Sequence, residues 1–201
     1  MKSTLSALFL SLLISSNVFA VGLKLTPGTY KIDPAHTRVS FLIKHFVVSE
    51  VQGRFNDVEG TFMLSDNISK STIDVTIPIN SIDTAVAKRD EHLKSPDFFD
   101  AAKYPTMTFK SKKFTGSLSS FRVTGDLTIK DVTKEVVLVG KYTGSAKDPW
   151  GGTRAAVSAN TKINRKDFHI NYNDKIDIGP AVGDEVTIQI LSEGVLELSL
   201  I

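Results

Sequence analysis

Along most of this chain apolar and polar side chains alternate with period two, the spacing of half-buried strands. The pattern predicts strands over residues 29–33, 39–45, 51–55, 60–64, 72–79, 106–114, 121–129, 135–143, 155–163 and 185–200. Only Pro34-Ala35 turns the chain between the first two, so the set counts as about nine, with Asn56-Asp57, Ser65-Asp66-Asn67 and Gly116-Ser117 as further punctuation. In the segment 39–45, Val39, Phe41, Ile43 and His45 share one face, while Leu42 and Phe46 make the other face greasy as well. Such a strand packs one face on a core and lines a cavity, or meets another subunit, with the other. In the last and longest strand, Val186, Ile188, Ile190, Ser192, Gly194, Leu196, Leu198 and Leu200 alternate with more polar positions, and Gly194 reads as a bulge or bend.

One stretch breaks the alternation. From Thr84, read as an N-cap, AVAKRDEHLKS carries helix formers until Pro96 stops it. Asp97-Phe98-Phe99-Asp100 then sets two rings between carboxylates, and Tyr104-Pro105 returns the chain to an extended form through Phe109. A lone short helix among strands covers the end of a sheet or barrel. The expected fold is therefore all-β, either a sandwich or an antiparallel barrel. Closure is preferred because it removes edge strands and, at about eight strands, leaves room for a ligand.

Residues 1–20, MKSTLSALFLSLLISSNVFA, run from one Lys through an apolar stretch to Val18-Phe19-Ala20, the form of a secretory signal cleaved after Ala20. The run falls short of the roughly 18 apolar residues a spanning helix needs, so no integral membrane span is expected. Residues 21–201 read as one domain in a periplasmic or secreted product, with no linker, repeat or charge block inside. The chain has no cysteine, which excludes disulfides, thiol nucleophiles and cysteine-ligated metals. Its 24 basic and 22 acidic residues are interspersed, with no stripe to track phosphates, and nucleic acid is not an expected partner.

The four histidines, His36, His45, His92 and His169, form no metal-ligand spacing, and His36 and His45 read as rings bonded to backbone or carboxylate. Arg89, Asp90 and His92 suggest a triad only loosely: there is no nucleophile elbow, and Ser95 is followed by Pro96. Ion pairing or turn capping at a barrel mouth is the favoured role for Arg89 and Asp90. Arg89 and His92 near the open end would alternatively hydrogen-bond the polar head of a lipid. Residues 171–177 lack the Gly and Glu of a calcium loop and read as an Asx-rich loop, and Gly151-Gly152 as a turn. No catalytic residue, metal or cofactor is assigned.

The stretch RDEHL, then DFFD, then YPTMTF resembles the signature of the YceI-like family. TYKIDPAHTRVSF (29–41), His45 with Gly53-Arg54-Phe55, Gly60-Thr61-Phe62, Ser81 to Thr84, GDLTIKDVTKEVVL (125–138) and INRKDF (163–168) fall in the family's order. The resemblance implies a lipocalin-like β-barrel of about eight strands with one short helix near the open end, a homodimer, and a long apolar pore holding a polyisoprenoid or quinone-like chain. Phe41, Phe55, Phe62, Phe98, Phe99 and Phe109 would then contact the chain, and Arg89 and His92 its head. The chain departs from the family pattern at Asp131 and His169, where Gly is usual, and at Thr37, where Ser is frequent; the first two are expected to alter the rim of the site. The expected function is a non-enzymatic carrier of an isoprenoid or fatty-chain ligand. The alternatives are a stress-linked scavenger of other lipophiles, such as fatty amides or antibiotics, and a His-dependent hydrolase using His92 or His169.

Overall fold

A computed structural model describes residues 25–176 and 179–197. The signal with Ala20, Asp177, residues 198–200 of the predicted last strand and Ile201 lie outside the described residues. Strands β1 (Gly28–Ile32) and β2 (Arg38–His45) form one line broken by the 3-10 turn Pro34–His36. Asp33 caps that turn, its Oδ1 accepting from the Ala35 N–H at 3.0 Å. Then come β3 (Ser49–Phe55), β4 (Glu59–Leu64), β5 (Thr72–Pro78), the two-residue β6 (Ile82–Asp83) and the helix α1 (Ala87–Lys94). The chain continues through β7 (Thr106–Ser117), β8 (Ser120–Ile129), β9 (Val132–Lys147), β10 (Thr153–Asn164), a small hairpin of β11 (Lys175–Ile176) and β12 (Gly179–Pro180), and β13 (Val182–Leu196).

The hydrogen-bonded order β1-β4-β5-β7-β8-β9-β10-β13 returns to β1 through Tyr30↔Leu196 and Ile32↔Gly194, closing an antiparallel barrel. That ring has eight members, and an even number is what lets every neighbour run antiparallel. Toward one end β13 leaves β1 and pairs instead with β2 from Leu191↔Arg38 to Val182↔His45, while β2 pairs β3 and β3 pairs β6. The barrel thus continues upward as a second tier. Among the described residues no helix is long and apolar enough to cross a membrane.

Three local expectations are corrected. The N-cap of α1 is Val86, which makes no side-chain cap; Thr84 lies before it, and its N–H and hydroxyl donate to Asp90 Oδ1 instead. The last strand ends at Leu196, with Glu197 outside it. Gly194 is no bulge: pairing with β10 runs through it without a shift. It is glycine because a Cβ there would fall 2.9 Å from both the Phe62 ring and Tyr30 Cβ. Register shifts lie instead between Val182 and Val186 of β13 where it pairs β2, between Ser111 and Lys113 of β7, and between Ala156 and Val157 of β10, opposite Gly144 and Tyr142 of β9.

Candidate functional site

Inside the barrel lies a cavity of about 490 Å³, within the range of sites for small organic ligands. Period-two alternation delivers its wall: Val157, Ala159, Thr161 and Ile163 from β10 face Val186, Ile188, Ile190 and Ser192 from β13. At the lower end Phe62 stacks on Tyr30 at 5.3 Å and Phe114 meets Phe121 at 5.8 Å. All four rings are buried, as is Tyr142, so the barrel is plugged there. Burial, with Tyr142 nearby, pushes the Tyr30 hydroxyl above its ordinary value, and it donates to the Thr26 carbonyl at 2.6 Å. At the upper end the wall passes into exposed or half-exposed Lys44, His45, Phe46, Tyr172 and Asp174, which mark the mouth.

All eight residues singled out from the sequence stand on this wall. Phe62 and Phe109 are buried low in it; Phe55 tilts against Phe41 at 6.0 Å and meets Phe99 edge-on at 6.0 Å. Phe41 lies flat across its cross-strand partner Gly53, where an added Cβ would fall 2.3 Å from Phe41 Cζ. Under α1, His92, Phe98 and Tyr172 form a triangle of ring contacts of 5.0, 4.9 and 4.9 Å. A triad is not formed. His92 Nε2 bonds Asp97 Oδ2 at 2.9 Å, Asp90 serves Thr84, and the buried Ser95 Oγ has no partner among the described residues. Arg89 donates from Nε to Thr84 Oγ1 at 2.8 Å and from Nη2 to the Thr84 carbonyl at 2.7 Å, which fastens the segment entering α1.

His36 bonds the Asp33 carboxylate at 2.8 Å, as expected, but His45 meets a ring instead, Phe46 at 3.9 Å. The Asx-rich loop acts as a clasp: Asn173 donates to the Val182 carbonyl at 2.8 Å and accepts from its N–H at 3.1 Å. Asp33, His36 and Glu193 lie close enough together at the lower end to suggest a metal group. A guanidinium already occupies it: Arg154 Nη1 is 2.7 Å from both Asp33 and Glu193, and Nε is 3.0 Å from Asp148. Asp33, then Glu193 and Asp148, raise the Arg154 pKa further, and Arg154 in turn holds Asp33 below the usual carboxylate value.

Sequence reasoning missed Arg165, which appeared only inside the INRKDF match. It is 3% exposed, lines the cavity, and donates to the carbonyls of Gly183 (2.7 Å), Ile170 (2.7 Å) and Tyr172 (2.8 Å). Burial pushes its pKa down, opposed by Asp184 at 3.4 Å. The available signal was an Arg directly after a strand, before a Lys and an Asp that stay on the surface. Of the charged residues lining the cavity, Lys44, Arg89 and Arg165 are cationic and Asp174 is anionic; Glu50 pairs with Lys44 and Asp184 with Arg165 from off the wall. Asp131 and His169, expected to alter the rim, are not on the cavity wall.

A closed eight-stranded antiparallel barrel, plugged at one end and with an apolar interior opening at the other, is a lipocalin-like architecture. The YceI-like domain model matches residues 30–193, and the chain belongs to that family. It is 42% identical over 197 residues to Protein YceI of Escherichia coli O157:H7, covering 96% of this chain and 97% of that one. It is 40% identical over 198 residues to a UPF0312 protein of Pseudomonas aeruginosa, covering 97% and 98%. Among solved structures, a Campylobacter jejuni YceI protein matches with TM-score 0.67 at 34% identity, over 77% of this chain and 90% of that one. Burkholderia cenocepacia BcnA matches with TM-score 0.72 at 22% identity, over 81% and 99%. A polyisoprenoid binding domain from Saccharophagus degradans matches with TM-score 0.63 at 12% identity, over 86% and 100%; these last two show a shared fold.

Proposed function

We propose that the protein is an exported, non-enzymatic lipid carrier that holds one long-chain amphiphile, an isoprenoid or quinone-like molecule, with its chain in the barrel and its head at the mouth. The observation that carries this reading is the division of the cavity wall: apolar side chains line its depth, whereas its charged side chains gather at the open end. At about 30 Å³ per water-sized group, 490 Å³ accommodates about sixteen methylene-sized groups. Each buried methylene contributes about 0.8 kcal/mol, so ten or more reach micromolar affinity after several kcal/mol of ordering cost. The polyisoprenoid binding domain of the Saccharophagus protein shares the fold and supports a polyprenyl cargo. The unpartnered Ser95 and the pairing of His92 with Asp97 support binding over hydrolysis.

The same reading makes residues 21–201 one mature domain, a homodimer released into the periplasm after cleavage at Ala20. Intact-mass measurement of the exported protein checks the cleavage. The deciding experiment titrates chains of increasing length that share one head group. Affinity rises with length until the cavity is filled; affinity that is flat with length but abolished by a change of head group defeats the carrier reading in favour of a polar rim site.

A further inference from the structure

The hairpin joining β2 to β3 ends in Phe46-Val47-Val48, which are 39%, 55% and 78% exposed. Phe46 and Val47 hold φ at 49° and 63°, a region that hairpin turns ordinarily give to Gly, Asn or Asp. For a bulky ring and a β-branched side chain it is a strained choice. The tip therefore keeps three consecutive apolar side chains in water against both turn chemistry and solvation. Phe46 also lines the mouth of the cavity, and its N–H donates to the Ala181 carbonyl at 2.9 Å, extending the pairing of β2 with β13 to the tip. Phe46 therefore belongs to both the tip and the cavity wall.

We propose that this tip is a membrane-docking finger, which inserts into the headgroup region of a lipid bilayer and brings the mouth against it, so that a chain passes between bilayer and barrel without crossing water. The inference rests on the carrier reading and adds where cargo is exchanged. Three side chains fall far short of the roughly 20–30 residues that each partner gives a stable protein interface, whereas a bilayer accepts a narrow apolar wedge. Just behind the tip Lys44 pairs with Glu50 at 2.9 Å, a collar without net charge. It matches zwitterionic headgroups, and the Lys44 stem can lie along the apolar boundary with its ammonium in water. Docking therefore requires no anionic lipid and depends little on salt.

The test uses vesicles of phosphatidylcholine and phosphatidylethanolamine. The chain's single tryptophan, Trp150, sits 84% exposed in the turn between β9 and β10, at the plugged end, and serves as an internal control. In Trp150→Phe/Val48→Trp, vesicles are expected to shift the emission to the blue, and brominated acyl chains to quench it; Trp150 in the native protein should respond to neither. Protein loaded with pyrene-labelled palmitate should deliver it at a rate that rises with vesicle concentration. Val47→Asp/Val48→Asp should slow delivery by about tenfold or more, as two valines that no longer leave water imply, while palmitate binding in solution is unchanged. No spectral change in the tip tryptophan, a delivery rate indifferent to vesicle concentration and to the Asp pair, or a dimer that the Asp pair dissociates would each overturn the docking role. Failure of palmitate to bind at all bears on the carrier reading instead, and the fluorescence arm, which needs no cargo, still decides the docking.

Discussion

His169 Nδ1 lies 3.3 Å from Asp131 Oδ1, so the two residues that the family resemblance marked as departures touch each other. The bond crosses a seam. β9 and β10 pair from Thr153↔Lys147 to Asn160↔Val139, and beyond that point toward the mouth their pairing ends. The turn Arg165–Phe168 fills the gap, with Phe168 1% exposed, and Lys130 Nζ donates to the His169 carbonyl at 3.2 Å. His169 ends that turn at φ 58°, a left-handed conformation that favours Gly.

The first prediction concerns this position. His169→Gly removes an unfavourable backbone conformation and one exposed contact, so stability by chemical denaturation should be unchanged or higher by up to about 1 kcal/mol. Affinity for a long-chain ligand should not move, because His169 is off the cavity wall. A marked loss of affinity would show that the seam controls the pore.

Much of this was legible in the residues themselves. Period two in 39–45 and 185–200 put Val39, Phe41 and Ile43 on one face and Val186, Ile188 and Ile190 on another, which the closed barrel turns inward, and the break at Pro96 marked the end of α1. What escaped was interaction between distant segments. Arg165 takes its importance from the carbonyls of Ile170, Tyr172 and Gly183, which only the closed fold brings to it. The pattern predicts β9 over 135–143, but it runs Val132–Lys147, because Lys134 and Gly144 look like strand ends until the neighbours supply their hydrogen bonds. Gly53 was recorded as a motif residue. Its reason, the ring of Phe41 lying over it, is a cross-strand relationship that no single segment contains.

That relationship yields the second prediction. In Gly53→Ala the new methyl meets Phe41 and, at 2.8 Å, Thr84 Cγ2, so the ring must swing into the cavity. Overpacking of this kind costs about 1–3 kcal/mol. The longest chain the barrel accepts should shorten, which the length titration measures; an unaltered length limit would mean that Phe41 does not bound the ligand.

The third prediction concerns acid. Asp33 is held below the usual carboxylate value of 3.8, first by Arg154 and then by His36. A depressed folded value means that Asp33 stabilises the fold fully above the unfolded value and loses that contribution as pH falls through the folded one. Below about pH 4 stability should therefore fall in the native protein. In Asp33→Asn it should be lower near neutral pH and fall less on acidification. Thermal melts at a series of pH values check this, and parallel curves for the two proteins would remove Asp33 from the account.

Arg165 carries the last prediction. Its guanidinium sends donors in several directions at once, to the carbonyls of Gly183, Ile170 and Tyr172 around the mouth. Arg165→Met keeps an unbranched, though shorter, side chain and removes both the donors and the charge. Leaving buried acceptors without donors should cost about 2–4 kcal/mol, since each unpaired group costs on the order of 1 kcal/mol or more. Arg165→Lys should recover only part of that, because an ammonium on a flexible stem cannot reproduce the planar fork. If the arginine also biases the pore toward acceptor-rich heads, both variants should narrow the preference for a carboxylate over an alcohol on the same chain, and narrow it more in Met, where the charge is gone, than in Lys, where it remains. Denaturation curves and paired ligand titrations separate the two effects. A loss of stability with the head-group preference intact would leave Arg165 as a clasp for the 165–184 segment alone.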